Sequence, residues 1–269
     1  MNNGICVLAQ NNETTNYVEQ TYALALSIIA KTPNAKFSII TNDMIPSHYK
    51  DVFDQVISIP GNDTALNASW KIENRWKVYQ CSPYDNTLVF DSDMIVLDDI
   101  TPLWNSPNNI TFTENVTTYR NELVTSRYYR KTFDENKLPN IYTGMYQFRK
   151  HTETELFFNL LNSIIDNWQD FYEIYTPIKS QNWCSIDLSA AIASKILDSN
   201  ISNNRFTFTH MKPQVQNWKT TQSKWTNVVP VDFGNSNIYI GGYKQSGILH
   251  YVEDEFLTPN MLSWLEEQI

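Results

Sequence analysis

Thr87-Leu88-Val89-Phe90-Asp91-Ser92-Asp93-Met94-Ile95-Val96-Leu97-Asp98-Asp99-Ile100 is the stretch on which the reading of this chain turns. Leu88-Val89-Phe90 is an apolar run that stops at a carboxylate, and Met94 to Leu97 is a second apolar run that begins just after another. Two anions at the end of a buried strand cost free energy unless a cation balances them. Ser92 is small enough to let the chain turn, so that Asp91 and Asp93 can approach one ion. Carboxylate oxygens are hard ligands suited to Mg²⁺ or Mn²⁺, which keep positions for phosphate oxygens and water. A bare D-x-D also arises by chance in solvated loops, so the surrounding pattern has to carry the reading.

Upstream, Gly4 to Ala9 is a continuous apolar run that predicts a buried strand. Apolar residues recur at helical spacing from Tyr17 to about Lys31, and Thr32-Pro33-Asn34 ends that helix. Phe37 to Ile40 predicts a second strand, Pro46 to Phe53 a short helix, and Val56 to Ile59 a third strand. Strand, helix, strand, helix, strand implies a parallel sheet with crossover helices, whose ligands sit beyond the carboxyl ends of the strands. That places Gln10 to Thr15 and Thr41 to Asp43 near a nucleotide; plain polar loops are the alternative. Neither GxGxxG nor GxxxxGK[ST] occurs, so a dinucleotide fold and a P-loop are unsupported. A helix from about Ser69 to Cys81 carries Lys71, Arg75 and Lys77, with Lys71 and Arg75 sharing a face at i, i+4.

Further on, Ile110 to Glu114 predicts a strand, Thr154 to Phe171 an amphipathic helix, and Ser185 to Leu197 an apolar helix opened by Asp187. Short strands are expected at Phe206 to Thr209, Ile238 to Ile240 and Gly247 to Tyr251, with a closing helix near Met261. No repeat or linker stands out, so a single domain is expected.

A chain of 269 residues with 42% hydrophobic and 18% charged side chains is a folded globular protein rather than a disordered one. Its net charge of −9 disfavours a broad nucleic-acid surface, and an acidic protein that handles an anionic ligand needs a local cation. Cys6, Cys81 and Cys184 lie far apart, so neither a zinc site nor a disulfide framework is expected. Met1 to Ile5 runs into a strand with no basic region or cleavage site, and no apolar run approaches the ~20 residues of a membrane span. A cytoplasmic location is the expectation.

Leu88 to Val96, followed by Asp99-Ile100-Thr101-Pro102-Leu103, resembles the D-x-D segment of family-8 glycosyltransferases, the glycogenin and lipopolysaccharide galactosyltransferase group. The resemblance implies the α/β GT-A fold, a Rossmann-like mixed sheet flanked by helices. Residues 1–103 would form the nucleotide-binding half and 104–269 the acceptor half. It further implies transfer of a sugar from a nucleotide-sugar donor, expected to be a UDP-sugar, to an acceptor hydroxyl with retention. Mn²⁺ (or Mg²⁺) would be held by Asp91, Asp93 and a histidine.

Gly247-Ile248-Leu249-His250-Tyr251 is similar to the late strand whose His completes the family's metal site. The family follows it with Gly and Lys-Pro-Trp, whereas this chain has Val252-Glu253-Asp254-Glu255. Thr209-His210-Met211-Lys212-Pro213, with Trp218 nearby, is the rival, and either His also reads as a hydrogen-bonded core residue. Expected donor-binding residues are Ala9, Gln10, Asn11 and Thr15 after the first strand and Asn42 after the second. Lys71, Arg75, Ser92 and Lys212 join them as residues near the phosphates.

Asn140-Ile141-Tyr142-Thr143-Gly144 resembles the family's acceptor segment, with Tyr142 where an Asn is expected, and nominates Thr143 and Gly144. Ser185-Ile186-Asp187-Leu188 falls where the family carries Asp-Gln-Asp. It nominates Asp187 as catalytic, or as a carboxylate at a helix start.

The acceptor is left open: a glycan, a protein or a modified DNA base. For the DNA version, Arg120, Arg127, Arg130 and Lys131 form a modest cluster. A nucleotidyltransferase would need a Gly-rich basic loop after the first strand, and Gln10-Asn11-Asn12-Glu13-Thr14 is neither. A sugar-binding protein that kept the fold is the non-enzymatic reading.

Overall fold

The computed structural model describes residues 2–61, 63, 65, 71–124, 130–178, 181, 183–199, 202–212 and 224–269. The chain starts with β1 (Asn3–Leu8), α1 (Tyr17–Lys31), β2 (Phe37–Ile40) and β3 (Gln55–Ile57). A helix α2 (Val78–Cys81) leads into β4 (Asn86–Phe90) and β5 (Met94–Val96), followed by β6 (Ile110–Thr117), α3 (Lys131–Glu135) and β7 (Tyr142–Arg149). Helices α4 (Thr152–Asp166), α5 (Trp168–Tyr175) and α6 (Ile186–Ile196) precede β8 (Ser202–His210). Then come β9 (Val231–Gly234), β10 (Asn237–Ile240), β11 (Tyr243–Lys244), β12 (Ile248–His250) and the closing helix α7 (Pro259–Glu266).

Nine strands form one sheet in the order β3-β2-β1-β4-β7-β6-β8-β12-β5, and β11-β10-β9 make a small antiparallel one. Strands β1 to β4 run parallel, β7 runs against β4 and β6, β6, β8 and β12 run parallel, and β5 opposes β12. These directions bring the carboxyl ends of β1, β2, β4, β6, β8 and β12, and the amino ends of β7 and β5, to one rim of the sheet. Ala9, Thr41, Asp91, Thr143, His210, His250 and Asp93 therefore share a rim without being near one another in sequence.

Both faces of the sheet are covered, which explains the unbroken apolar runs. Along β1, Ile5 and Val7 enter one core cluster, which also holds α1 residues Leu24 and Ile28 and α7 residue Met261. Cys6 and Leu8 enter the other, with Phe157 and Leu161 of α4 and Ala191 of α6. Helix α1 begins where Asn16 Oδ1 accepts the N–H of Glu19 at 3.1 Å, and α6 where Ser185 Oγ accepts that of Leu188 at 3.3 Å. Both are side-chain caps on otherwise orphaned donors.

Three local expectations change. The helix expected over 69–81 (Ser69 lies outside the described residues) is a 3-10 turn over Ile72–Lys77 joined to α2. Lys71 precedes it with φ 53°, so Lys71 and Arg75 do not share an α-helical face. The helix expected over 154–171 is two helices, broken at Asn167, whose N–H still bonds to Ser163 O at 3.1 Å. Finally, Tyr142–Arg149 is a strand, β7, in the middle of the sheet, where the sequence reading placed no strand.

Candidate active site

The acidic pair lies where the chain leaves the middle of the sheet and re-enters at its edge. Strand β4 ends at Phe90, the Asp91 N–H bonds to Gly144 O at 2.8 Å, and three residues after Asp91 strand β5 begins, pairing with β12 in a register that sets Met94 opposite His250. His250 is thereby delivered to the aspartates: its Nε2 lies 3.0 Å from Asp93 Oδ2, and the Tyr251 N–H bonds to Asp93 O at 3.1 Å. One ligand atom each from Asp91, Asp93 and His250 fall within 4.8 Å of one another. Neighbouring ligands on an octahedral ion with bonds near 2.1 Å are about 3 Å apart, the separation found between His250 and Asp93. Two carboxylate oxygens and an imidazole nitrogen fit Mn²⁺ or Mg²⁺ by donor type as well.

Gly144 shows how tightly the group is packed. A Cβ there would lie 2.9 Å from Met94 Cε, 3.3 Å from His250 Nδ1 and 3.4 Å from Asp91 Oδ2. A side chain here would have to push the Met94 terminus aside and crowd His250, so a glycine lets β7 pass close to the group without displacing it.

Arg75 joins the group from the 3-10 turn, its Nη1 2.5 Å from Asp91 Oδ1, with 27% of its side chain exposed. Burial opposes ionisation of Asp93, but the charge and hydrogen bond of His250 and the charge of Arg75 outweigh it and hold the carboxyl below its ordinary range. The same pair acts in reverse on His250: burial lowers its pKa, and Asp93 overcomes this and raises it. His210 stacks on His250 with ring centroids 4.6 Å apart and an interplanar angle of 18°. Burial, then the neighbouring His250, Lys212 and Arg130 charges, hold His210 well below the usual histidine value, so it is the neutral member of the stack. Among the described residues, the metal-competent group contains His250 and not His210.

A second group adjoins the first through β7. Asp187 Oδ1 accepts the Thr143 N–H at 2.8 Å and the Thr143 hydroxyl at 2.5 Å, while Oδ2 accepts from Arg130 Nη1 at 2.5 Å. Arg130 also donates Nε to Asn140 Oδ1 at 2.8 Å and Nη2 to Ile141 O, and its guanidinium carbon sits 3.7 Å from the Phe133 ring centroid and 4.2 Å from that of Tyr142. Burial pushes the Asp187 pKa up; the Arg130 charge and the Thr143 bonds overcome this and lower it. Asp187 thus fixes the backbone one residue before Gly144. Arg130 was expected only as part of a basic cluster for a DNA acceptor, not as a partner of Asp187. In sequence it stands in a surface-like basic run, whereas the structure buries it; Lys131 pairs with Glu135 and Arg127 lies outside the described residues.

Several expected donor-side groups are occupied in holding the fold. Gln10 donates to Asp63 Oδ2 and accepts from Asn74, each at 2.9 Å. The Asn11 N–H bonds to Asp43, and Asn11 Oδ1 accepts from Val18 N–H. Thr15 donates to Asp254 at 2.6 Å, Asn42 Oδ1 accepts from Ile59 N–H, and Lys71 Nζ donates to Ala65 O at 2.7 Å. Ala9 and Ser92 are buried, and Lys212 is exposed beside His210. Where the family's Lys-Pro-Trp is missing, acidic residues tie segments together. Glu253 accepts from the Trp225 and Thr226 N–H groups, Asp254 from Thr15 and Gln20, and Glu255 pairs with Lys224.

No protein-family model and no curated protein matches the sequence. Among solved structures, the chain is similar to the galactosyltransferase LgtC in complex with donor and acceptor sugar analogues, at 15% identity and a TM-score of 0.54, over 98% of this chain and 93% of that one. An active-site mutant of LgtC matches at 13% identity and a TM-score of 0.52, over 98% and 94%. The glycosyltransferase GlyE of Streptococcus pneumoniae TIGR4 matches at 12% identity and a TM-score of 0.49; this chain spans 61% of GlyE's length. Among the described residues, no helix is long and apolar enough to cross a membrane. With its nine-stranded mixed sheet, helices on both faces and near end-to-end overlap with LgtC, the chain has the GT-A glycosyltransferase fold.

Proposed function

We propose that this chain is a metal-dependent glycosyltransferase that moves a sugar from a nucleoside-diphosphate donor, taken to be a UDP-sugar, to an acceptor hydroxyl with retention. The observation that carries the reading is the meeting of Asp91, at the end of the inner strand β4, with Asp93, just before the edge strand β5, and His250 of its neighbour β12, in a spacing that suits one divalent cation. Those three residues would hold Mn²⁺ or Mg²⁺. When bound, the ion supplies positive charge to offset the charge developing on the departing diphosphate.

The remaining roles follow from position. The loops after β1 and β2, with Ala9, Gln10, Asn11, Thr15 and Asn42, border the nucleotide at the carboxyl ends of parallel strands. Because their side chains hold the loops in shape, we assign them a shaping role, with backbone groups facing the donor. Ser92 spaces the two aspartates. Arg75, which pairs with Asp91, and the exposed Lys212, whose charge acts on His250, are the cations assigned to phosphate oxygens, while Lys71 braces the loop carrying Ala65. Thr143 and Gly144 border the sugar. Asp187 is the carboxylate that orients them: three donors occupy its oxygens, leaving a lone-pair site on Oδ2 for a sugar hydroxyl and no free nucleophile. Residues 1–103 serve the nucleotide and 104–269 the acceptor, in a cytoplasmic protein. Burial of Arg130 removes one cation from the DNA-base version and favours a glycan or protein acceptor.

Mn²⁺-dependent release of UDP from a panel of UDP-sugars tests the reading. Asp93→Ala is expected to lower it at least ~100-fold, as loss of a main electrostatic contributor does, with an unchanged circular dichroism spectrum. Equal Mn²⁺-dependent release by the wild type and Asp93→Ala would overturn it.

A further inference from the structure

Arg75 occupies a position that a simple cation site would not be expected to provide. A guanidinium 2.5 Å from a prospective metal-ligating carboxylate competes for the charge that draws the ion. Among the described residues Asp91 is its one hydrogen-bond partner, although the guanidinium has five donors to place. Its side chain is partly exposed, so it can change partners without entering or leaving a dry core.

Charge counting shows the effect. Two carboxylates, one guanidinium and an imidazole, counted neutral as a metal ligand must be, sum to minus one. A divalent cation alone turns the group to plus one, against the repulsion of Arg75. Adding a diphosphate diester with two negative charges returns the group to minus one and gives the Arg75 fork a bidentate acceptor. Without Arg75, the cation alone would neutralise the group, and the diphosphate would then arrive as excess negative charge.

We infer that Arg75 is a binding residue that makes the site take cation and nucleotide together: it holds Asp91 in the empty protein and turns to the diphosphate when both ligands arrive. This rests on the proposed function and adds a coupling between its two ligands. Coupling of this kind is reciprocal, so the cation tightens the nucleotide by the same factor that the nucleotide tightens the cation.

The test measures Mn²⁺ affinity of the full chain by the electron paramagnetic resonance signal of free Mn²⁺, with and without UDP. In the wild type, UDP is expected to tighten Mn²⁺ roughly tenfold or more, within the 5–150-fold range of coupled sites. Arg75→Met is expected to bind Mn²⁺ alone more tightly than the wild type and to lose most of the UDP enhancement. Arg75→Lys keeps the charge without the fork and should fall between. A purely structural Arg75 would weaken Mn²⁺ binding when replaced, and that result, or an undiminished UDP enhancement in Arg75→Met, overturns the coupling alone. Absence of Mn²⁺ binding by the wild type, even with UDP present, overturns the metal reading and the coupling with it.

Discussion

Two arginine–aspartate pairs stand within one site, each closed at 2.5 Å, and they are built differently. Arg130 is 5% exposed, donates to Asn140 and Ile141 as well as Asp187, and lies between two aromatic rings. Arg75 is 27% exposed and is bonded to Asp91. Desolvation makes a buried ion pair costly unless further bonds satisfy it, and those bonds then fix it in place. The Arg130 pair is satisfied in this way and is a fastening. Among the described residues the Arg75 guanidinium has Asp91 as its one partner and keeps water access, so its geometry is one of several it can adopt. Equal distances therefore conceal opposite roles, and the count of remaining hydrogen bonds separates them.

The largest break in that contrast comes from Arg130→Met. It strands Asp187 in a partly buried position and removes three hydrogen bonds, at a cost of about 3–5 kcal/mol. The melting temperature should fall on the order of 10 °C by calorimetry. A shift of only a degree or two would place Arg130 in the same class as Arg75.

Acid sensitivity sharpens the comparison. The folded pKa of Asp187 is depressed, so its contribution is present above the unfolded value of about 3.9 and is lost as pH falls through the folded value. Removing Arg130 takes away the largest opposing charge, and the acid-unfolding midpoint of Arg130→Met, followed by tryptophan fluorescence, should move upward relative to wild type. Coincident acid midpoints would show that Thr143 alone sets the Asp187 environment. The smallest effect is expected from Arg75→Met, whose melting point should imply a change within ~1 kcal/mol, as for partly exposed pairs. A loss as large as that of Arg130→Met would abolish the distinction.

The strands and helices whose side chains are sorted by one period were legible. Gly4 to Ala9, Tyr17 to Lys31 and Ser185 to Leu197 fall within a residue or two of β1, α1 and α6, because apolar runs and the cap at Ser185 are local signals. The Asp91–Asp93 turn was legible for the same reason. Strand β7 was not anticipated: Tyr142–Arg149 is buried at nearly every position, yet it holds Thr143, Gly144 and Gln147. Gly144 lies against Met94, His250 and Asp91, contacts that come from elsewhere in the chain and that no local pattern announces. Arg130 was read with Arg120, Arg127 and Lys131 as a basic cluster; its burial was not legible because it depends on Phe133, Tyr142 and Asp187 converging. The choice between His210 and His250 depended on strand register, which pairs the two histidines side by side and gives the aspartate to His250.

The jump from β4 to β5 has a consequence for how the protein matures. Asp91 and Asp93 leave the ribosome well before β12, the one sheet neighbour of β5 among the described residues. Contacts this distant in sequence form slowly, since a long loop must close before they are rewarded. His250 is therefore delivered only when the sheet has acquired its far edge, and a nascent or clipped chain holds two carboxylates without their third partner. If the three residues hold a cation as proposed, its capture would wait for β12 to dock beside β5.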